Sequence, residues 1–274
     1  MTREFGLGPA ILFCPADRPD RYAKALERAD AVILDLEDAV AASERDAARE
    51  TLVRHQLDPE RAIVRVNPAG TRDFAADLAA VGAAGYGTVM LAKTSSRADV
   101  DAVAAADGNL AVVALCESAA GVLVAAEIAA AAQVVALMWG AEDLIASLGG
   151  STSRHADGRY RSVADHARST VLLAAGAHGK AAIDTVHLDI ADVDGLRAEA
   201  EDGAASGFVA TACIHPAQVD VVRAAYRPDP DTVANARAML SQAAQHSGVF
   251  RFGDLMVDGP VLRHAEAIIR RAEA

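Results

Sequence analysis

Residues 62–93 read AIVRVNPAGTRDFAADLAAVGAAGYGTVMLAK, and this stretch sets the pattern of the chain. A strand-length apolar run, AIVRVN at 62–67, leads into an Ala-rich amphipathic stretch at 71–84 and then a second run, TVMLAK at 88–93. Short runs that are apolar on both faces and carry β-branched residues suit strands of a parallel sheet covered by helices. Working outward, similar runs stand at 10–16 (AILFCPA), 31–37 (AVILDLE), 111–117 (AVVALCE), 134–140 (VVALMWG), 182–187 (AIDTVH) and 208–214 (FVATACI). Amphipathic stretches at 18–29, 43–54, 97–106 and 118–130 lie between them. Eight strand–helix units in about 215 residues predict a (β/α)₈ TIM barrel. A doubly wound open sheet is the alternative, but the first strand is not followed by a G-x-G-x-x-G turn.

The rhythm breaks twice. Residues 149–160, GGSTSRHADGRY, form a polar excursion before a long helix at 161–177. Arg227-Pro228-Asp229-Pro230 then punctuates the chain, followed by a helix at 231–246, the hairpin-like GVFRFGDLMVDGP and a last helix at 260–273. Gly253-Asp254 suits a two-residue hairpin turn. The expected organisation is a barrel over 1–226 and a C-terminal helical and hairpin arm over 227–274, acting as a lid or in the oligomer interface. The hairpin's apolar residues, Val249, Phe250, Phe252, Leu255, Met256 and Val257, would be a liability if exposed on a monomer.

Composition narrows the function. Hydrophobic residues make up 52% of the 274, which excludes a disordered chain. The 38 Asp and Glu against 26 Lys and Arg give a net charge of −12, which argues against duplex DNA, RNA or an anionic membrane as partner. The apolar run from Ile128 to Ala141 is shorter than the roughly 20 residues a membrane span needs. The N-terminus carries no leader-like apolar run, and Cys14, Cys116 and Cys213 each sit inside an apolar run as reduced core thiols; a cytoplasmic location is expected.

Catalytic groups of parallel barrels collect at the C-terminal ends of strands. Those ends carry Glu37 and Asp38, Asn67, Lys93, Glu117, Glu142 and Asp143, His187 with Asp189, and His215. Glu117 and Asp143 end neighbouring strands, and two carboxylates without His or Cys partners suit Mg²⁺; equally, both suit the first turn of a helix. Arg65 lies within an apolar strand, where a cation is costly without an anion. It reads as an internal ion pair with Glu37 or Glu117, as a fork for a substrate carboxylate, or as both. Glu37 and Asp38 supply a general base or orient Arg65 and metal-bound water. Arg18, Arg21, Lys24 and Arg28 on the first helix read as a solvated face or a phosphate contact at the mouth. His187 is assigned no role, and His215-Pro216 reads as a strand end followed by proline in a first helical turn.

The segments LFCPADRPDRYAKA, VILDLEDAV, VRVN, LCESAAGV, WGAEDLIASLGG, CIHPAQV and MVDGPVLRHAE occur in this order over nearly the whole chain. Together they resemble the stand-alone citrate lyase beta-subunit-like proteins of the HpcH/HpaI aldolase superfamily, relatives of malyl-CoA and citramalyl-CoA lyases. The resemblance implies a (β/α)₈ barrel, usually trimeric, that makes or breaks a carbon–carbon bond in a 3-hydroxyacyl thioester with Mg²⁺. By motif position it implies Glu117 and Asp143 as metal ligands, Arg65 as the group binding the substrate carboxylate, and Glu37 and Asp38 as the acidic pair beside it. Asp258 matches an aspartate that reaches a neighbouring subunit's site in the CoA lyases. Arg18, Arg21 and Lys24 are the expected contacts to CoA. Two motifs depart from the family: Cys14-Pro15-Ala16-Asp17 stands where relatives usually carry Pro-Gly, and Thr211-Ala212 where many carry Gly-Lys.

The expected reaction is reversible Claisen-type cleavage of a malyl-, citramalyl- or hydroxymethylglutaryl-CoA type thioester to a keto acid and an acyl-CoA, in a homotrimer, with Asp258 as the acid. An ordinary aspartate titrates near about 3.9, so that role calls for burial under a closing lid. The alternatives are a citryl-thioester lyase subunit working on an acyl-carrier protein and a non-catalytic barrel that binds a keto acid.

Overall fold

The computed structural model describes residues 5–246 and 248–273. Residues 1–4, 247 and 274, which fall within the expected domain ranges and the N-terminal leader reading, lie outside the described residues. Eight parallel strands close into a barrel: β1 (Ala10–Pro15), β2 (Ala31–Asp35), β3 (Ala62–Val66), β4 (Thr88–Leu91), β5 (Ala111–Cys116), β6 (Val134–Trp139), β7 (Ala181–Asp184) and β8 (Ala210–Cys213). Each pairs with the next, and β8 closes on β1 through Ala10↔Thr211, Ile11↔Ala212 and Leu12↔Cys213. The barrel solution wins over the open sheet because closure leaves no strand edge unpaired.

Alternation along the strands divides the apolar residues between two layers. Ile33, Ile63, Met90, Val113, Leu115, Met138 and Ile183 form one buried cluster and fill the barrel. The residues between them, such as Val32, Leu34, Val64, Leu91, Ala114 and Leu137, are also buried and face the helical layer. That is why these strands read as continuous apolar runs. The three cysteines are free and buried, and burial pushes the thiols of Cys14 and Cys116 up to about 11 and about 12.

The helices of the barrel are α1 (Pro19–Arg28), α2 (Arg45–Arg54), α3 (Arg72–Ala84), α4 (Arg97–Ala106), α5 (Ala119–Leu123), α6 (Ala125–Ala129), α7 (Ala141–Ser147), α8 (Ser162–Ala177) and α9 (Val193–Ser206), with α10 (Pro216–Tyr226) after β8. The single helix expected over 118–130 is two short ones, with Val124 at φ −113° and ψ 17° between them. The first is pressed close: a Cβ on Gly121 would lie 2.2 Å from the Thr94 carbonyl oxygen. The chain turns at Val124 so that Ala125, Ile128 and Ala129 are buried instead. α7 is a short helix between β6 and the polar excursion, and it carries Asp143 in its first turn, one of the two readings of that residue. Among the described residues no helix is long and apolar enough to cross a membrane.

The chain divides into a barrel unit ending at Val222 and a second compact unit from Arg223 onward. The second unit contains α11 (Pro230–Ala243), the antiparallel strands β9 (Phe250–Phe252) and β10 (Leu255–Val257), and α12 (Gly259–Glu273). Gly253 turns the hairpin at φ +59°, a conformation glycine adopts without penalty. The hairpin expectation needs one correction. Phe250 and Val257 are not exposed: they pair across the ladder and join Ala236, Met239 and Ala265 in the unit's own core. Val249, Leu255 and Met256 are the exposed apolar residues, at 63%, 59% and 77%.

Candidate active site

The side chains that matter continue the inward phase of the barrel strands. Asp35 follows Ile33, Arg65 follows Ile63, and Glu117 follows Val113 and Leu115, each two residues further along and therefore on the same face. Asp35 and Arg65 are register partners on adjacent strands. Arg65 donates through Nε to Asp35 Oδ1 at 2.7 Å and through Nη2 to Oδ2 at 2.6 Å. The sequence reading gave this cation to Glu37, Glu117 or a substrate. The fork goes to Asp35, which had been read only as part of a strand. Glu37 is a weaker neighbour, with Oε2 3.3 Å from Nη1. Burial works against the guanidinium's charge, but Asp35 outweighs it and holds the proton more firmly than usual. Phe13 of β1 lies against it, 5.0 Å from ring centroid to Cζ.

Asp35 also accepts the backbone N–H groups of Glu37 at 2.9 Å and Ala39 at 3.1 Å. One carboxylate thus fixes both Arg65 and the turn that presents Glu37 and Asp38. A second brace lies behind it. Asn67 donates to the Leu36 carbonyl at 3.0 Å and to Asp77 Oδ2 at 2.8 Å, and Asp77 on α3 is fully buried and paired with Arg49 of α2 at 2.7 Å. These contacts tie the ends of β2 and β3 together, which keeps the Arg65–Glu37 pair in place.

Lys93 follows β4 and joins the remaining acids. Its backbone N–H donates to Glu117 Oε1 at 2.9 Å, while Nζ lies 2.5 Å from Glu37 Oε1, 3.2 Å from Asp38 Oδ2 and 3.5 Å from Asp143 Oδ1. Glu117 is only 4% exposed. Burial first, and then the Asp143 charge, push its carboxyl up to about 8, against the pull of Lys93 and Arg65. Burial likewise raises Glu37, partly offset by Lys93 and Arg65. Burial would raise Asp38 too, but the contacts to Glu37 and Lys93 hold it below the usual range.

The chemistry of this donor set fits a hard divalent cation. Burial first, and then the Asp143 charge, favour the protonated form of Glu117, and a dication held by the two carboxylates would offset both costs. Gly140 at the end of β6 leaves the space: a Cβ there would sit 2.8 Å from both Glu117 Cβ and Oε2. Among the described residues no group of three or more His, Cys, Asp or Glu is arranged as a metal cage. Two carboxylates with remaining positions open to water or substrate is the binding style of Mg²⁺. Glu142, beside Asp143 in sequence, is not part of this set; it accepts Ser153 Oγ at 2.5 Å and anchors the polar excursion.

Arg18, Arg21 and Lys24 occupy the start and first half of α1, which leaves the mouth end of β1, and all three are exposed. Arg18 is engaged by Asp20 through Nε at 3.0 Å and Nη2 at 3.1 Å. Asp258 belongs to the second unit, where it is exposed just before α12 and accepts Val261 N–H at 3.4 Å. His215 is exposed just before α10, whose first residue is Pro216.

His187 belongs to another cluster of charge, on the outer face of β7. There a cavity of about 900 Å³ is lined by Arg154, Tyr160, Arg168, Asp184, His187 and Glu199 among others. His187 Nδ1 lies 2.9 Å from Glu199, which also pairs with Arg154. Arg168 binds Asp184 at 2.7 Å, and Asp184 in turn accepts the Trp139 indole N–H at 2.7 Å.

The model of the HpcH/HpaI aldolase/citrate lyase family matches residues 10–216, about three quarters of the chain, including all eight barrel strands. The chain belongs to that family. Within it, a citrate lyase subunit beta-like protein of Mycobacterium tuberculosis is 57% identical over 97% of this chain and 96% of its own length. A (3S)-malyl-CoA thioesterase of Cereibacter sphaeroides is 36% identical, covering 96% of this chain and 92% of that protein. Among solved structures, protein CitE from Mycobacterium tuberculosis, in complex with magnesium, acetoacetate and coenzyme A, superposes with a TM-score of 0.93 at 56% identity over 98% of this chain and 99% of that one.

Proposed function

We propose that this chain is a Mg²⁺-dependent carbon–carbon lyase that reversibly cleaves a 3-hydroxyacyl-CoA to a keto acid and an acyl-CoA. The observation that carries the reading is the convergence of Glu117 and Asp143 with the Arg65–Glu37 pair at one barrel mouth, linked by Lys93. The family relatives named for citrate lyase and malyl-CoA chemistry, and the solved relative with magnesium, acetoacetate and coenzyme A, support it. Glu117 and Asp143 hold the cation, which when bound supplies a Lewis acid for the oxygens of the acid portion.

The remaining work falls to the chain's own side chains. Asp35 occupies the Nε–Nη2 edge of Arg65, so the carboxylate of the acid portion is received at the Nη1–Nη2 edge, beside Glu37 Oε2 at 3.3 Å from Nη1. Glu37, whose affinity for protons is raised by burial, accepts the hydroxyl proton. The carbon–carbon electron pair passes to the carbon beside the thioester, and Asp258 delivers a proton to that carbon. Arg18, Arg21 and Lys24 bind the phosphates of CoA. The reading includes a homotrimer in which Asp258 on the arm (227–274) serves a neighbouring subunit; the exposed Val249, Leu255 and Met256 provide an apolar surface for that contact.

The test is turnover of malyl-, citramalyl- and hydroxymethylglutaryl-CoA with and without Mg²⁺, following keto acid and acyl-CoA separately. Mg²⁺-dependent appearance of both products supports the lyase. Release of free CoA with the hydroxy acid intact would instead make the chain a thioester hydrolase, and activity restricted to a carrier-protein thioester would make it a lyase subunit.

A further inference from the structure

Lys93 is the one non-glycine residue with a positive φ, +50°, among the described residues. That conformation is costly for a side chain with a Cβ, and glycine or asparagine would adopt it more readily. What the lysine provides is two contacts in different directions. Its backbone N–H holds Glu117, and its ammonium reaches Glu37, Asp38 and Asp143. An ammonium has three N–H donors, and here three carboxylates surround it. The contacts are graded. Glu37 and Asp38 accept hydrogen bonds at 2.5 Å and 3.2 Å, whereas Asp143 at 3.5 Å is paired by charge alone. Asp143 is therefore the carboxylate that Lys93 holds least and can release at least cost.

We propose that Lys93 is a resident counter-cation of the barrel mouth: its ammonium neutralises Asp143 while the divalent cation is away, gives that carboxylate up when the cation arrives, and so sets how tightly the cation binds. The inference rests on the reading of Glu117 and Asp143 as cation ligands. It makes Lys93 a positioning residue that acts through Asp143 and the Glu37–Asp38 pair. Its sign is distinctive. A purely structural lysine, once lost, leaves a looser site and weaker cation binding. A competing charge, once lost, leaves a site more negative and binding tighter.

The experiment is calorimetric titration of MgCl₂ into the metal-stripped full-length protein, at fixed pH and ionic strength. The variants are Lys93→Met and Lys93→Gln, which remove the charge and leave the backbone N–H to Glu117 in place, Lys93→Arg, which keeps the charge, and Asp143→Asn. Both neutral variants are expected to bind Mg²⁺ about tenfold tighter or more, Lys93→Arg to stay within about threefold of the parent, and Asp143→Asn to lose binding. Equal or weaker binding in the neutral variants, with Asp143→Asn still defective, overturns the proposal and leaves the cation site standing. No Mg²⁺ binding by the parent protein, or undiminished binding by Asp143→Asn, overturns the cation site and the proposal with it. Far-ultraviolet circular dichroism covers the case of poor folding. Neutral variants that fold only when Mg²⁺ is added support the exchange of one cation for another, and variants that stay unfolded with Mg²⁺ make Lys93 structural and overturn it.

Discussion

At the mouth of the barrel, Asp35, Glu37, Asp38, Glu117 and Asp143 surround two cations, Arg65 and Lys93. On the outer face of β7, Arg154 and Arg168 face Glu199, Asp184 and Asp202, with His187 sharing Glu199. The flank holds a cavity of about 900 Å³ and a dense set of hydrogen bonds, yet each of its half-buried arginines is matched by acids, and the result is a brace between the polar excursion, α8 and α9. The mouth has an excess of carboxylate, and one of them, Glu117, is held up to about 8 by burial and by its neighbour. A balanced buried cluster stabilises; an unbalanced one stores a cost that a ligand can relieve. Surplus charge therefore separates the candidate site from its scaffold.

That contrast breaks most easily at Glu117. Glu117→Ala is expected to lower Mg²⁺-dependent turnover by about 10³-fold or more while leaving the thermal midpoint of the metal-free protein unchanged or raised, because a costly buried carboxyl is gone. Near-normal Mg²⁺-dependent activity would remove Glu117 from the site. Asp258→Ala should cost about 10²- to 10⁴-fold, the range of a lost general acid. Mixing that variant with Glu117→Ala under verified subunit exchange should restore activity, since some sites then carry both groups; no recovery would confine Asp258 to its own chain. Arg65→Lys keeps the charge but loses two parallel bonds to Asp35 and the edge offered to substrate, an expected loss of about 30- to 900-fold in kcat/KM. Full activity there would make Arg65 a structural cation.

The flank should answer in the opposite currency. Arg168→Met is expected to cost on the order of 3 kcal/mol in stability, read by denaturant unfolding, because it leaves Asp184 buried without its partner. Per folded molecule, turnover should stay within about twofold. A variant that stays stable but inactive would move the functional boundary to the flank.

The smallest effect sharpens the same comparison through pH. For Glu117 the folded value, about 8, lies above the ordinary 4.5, so the folded metal-free protein binds the proton more tightly than the unfolded chain does. Its contribution to stability is therefore full below about pH 4.5, declines as pH rises, and is gone above about 8. Glu117→Gln should flatten that slope. At pH 7, Mg²⁺ binding should release protons, which titration in buffers of different ionisation enthalpy will detect.

The barrel was legible because its strands are buried on both faces and so read as apolar runs, with a helix between each pair. The break at Val124 was not, since it depends on Gly121 meeting the Thr94 carbonyl, a contact between distant parts of the chain. Glu117, Asp143, Glu37 and Arg65 could be found as charged residues at or near strand ends. Asp35 carried a usable signal that went unread: it is an acid two residues after Ile33, in the inward phase, on the strand beside Arg65. Asp77 gave less warning, because an aspartate on an amphipathic helix ordinarily faces water, whereas this one is sealed between Arg49 and Asn67. The left-handed backbone of Lys93 has no signature in a sequence that places lysine there.

Gly140 has a consequence for how this scaffold can change. The hydrogen that stands in place of a side chain on its α-carbon is all that the space beside Glu117 admits, since a methyl carbon there would lie 2.8 Å from two of that residue's atoms. Alanine is the most modest edit available, and it falls where the strand has already ended and the barrel is already closed. A lineage could therefore lose its chemistry at this position in one step and keep a well-folded barrel, free to be recruited for binding alone. An engineer wanting an inert double of the protein, matched in surface and assembly, would start with Gly140→Ala.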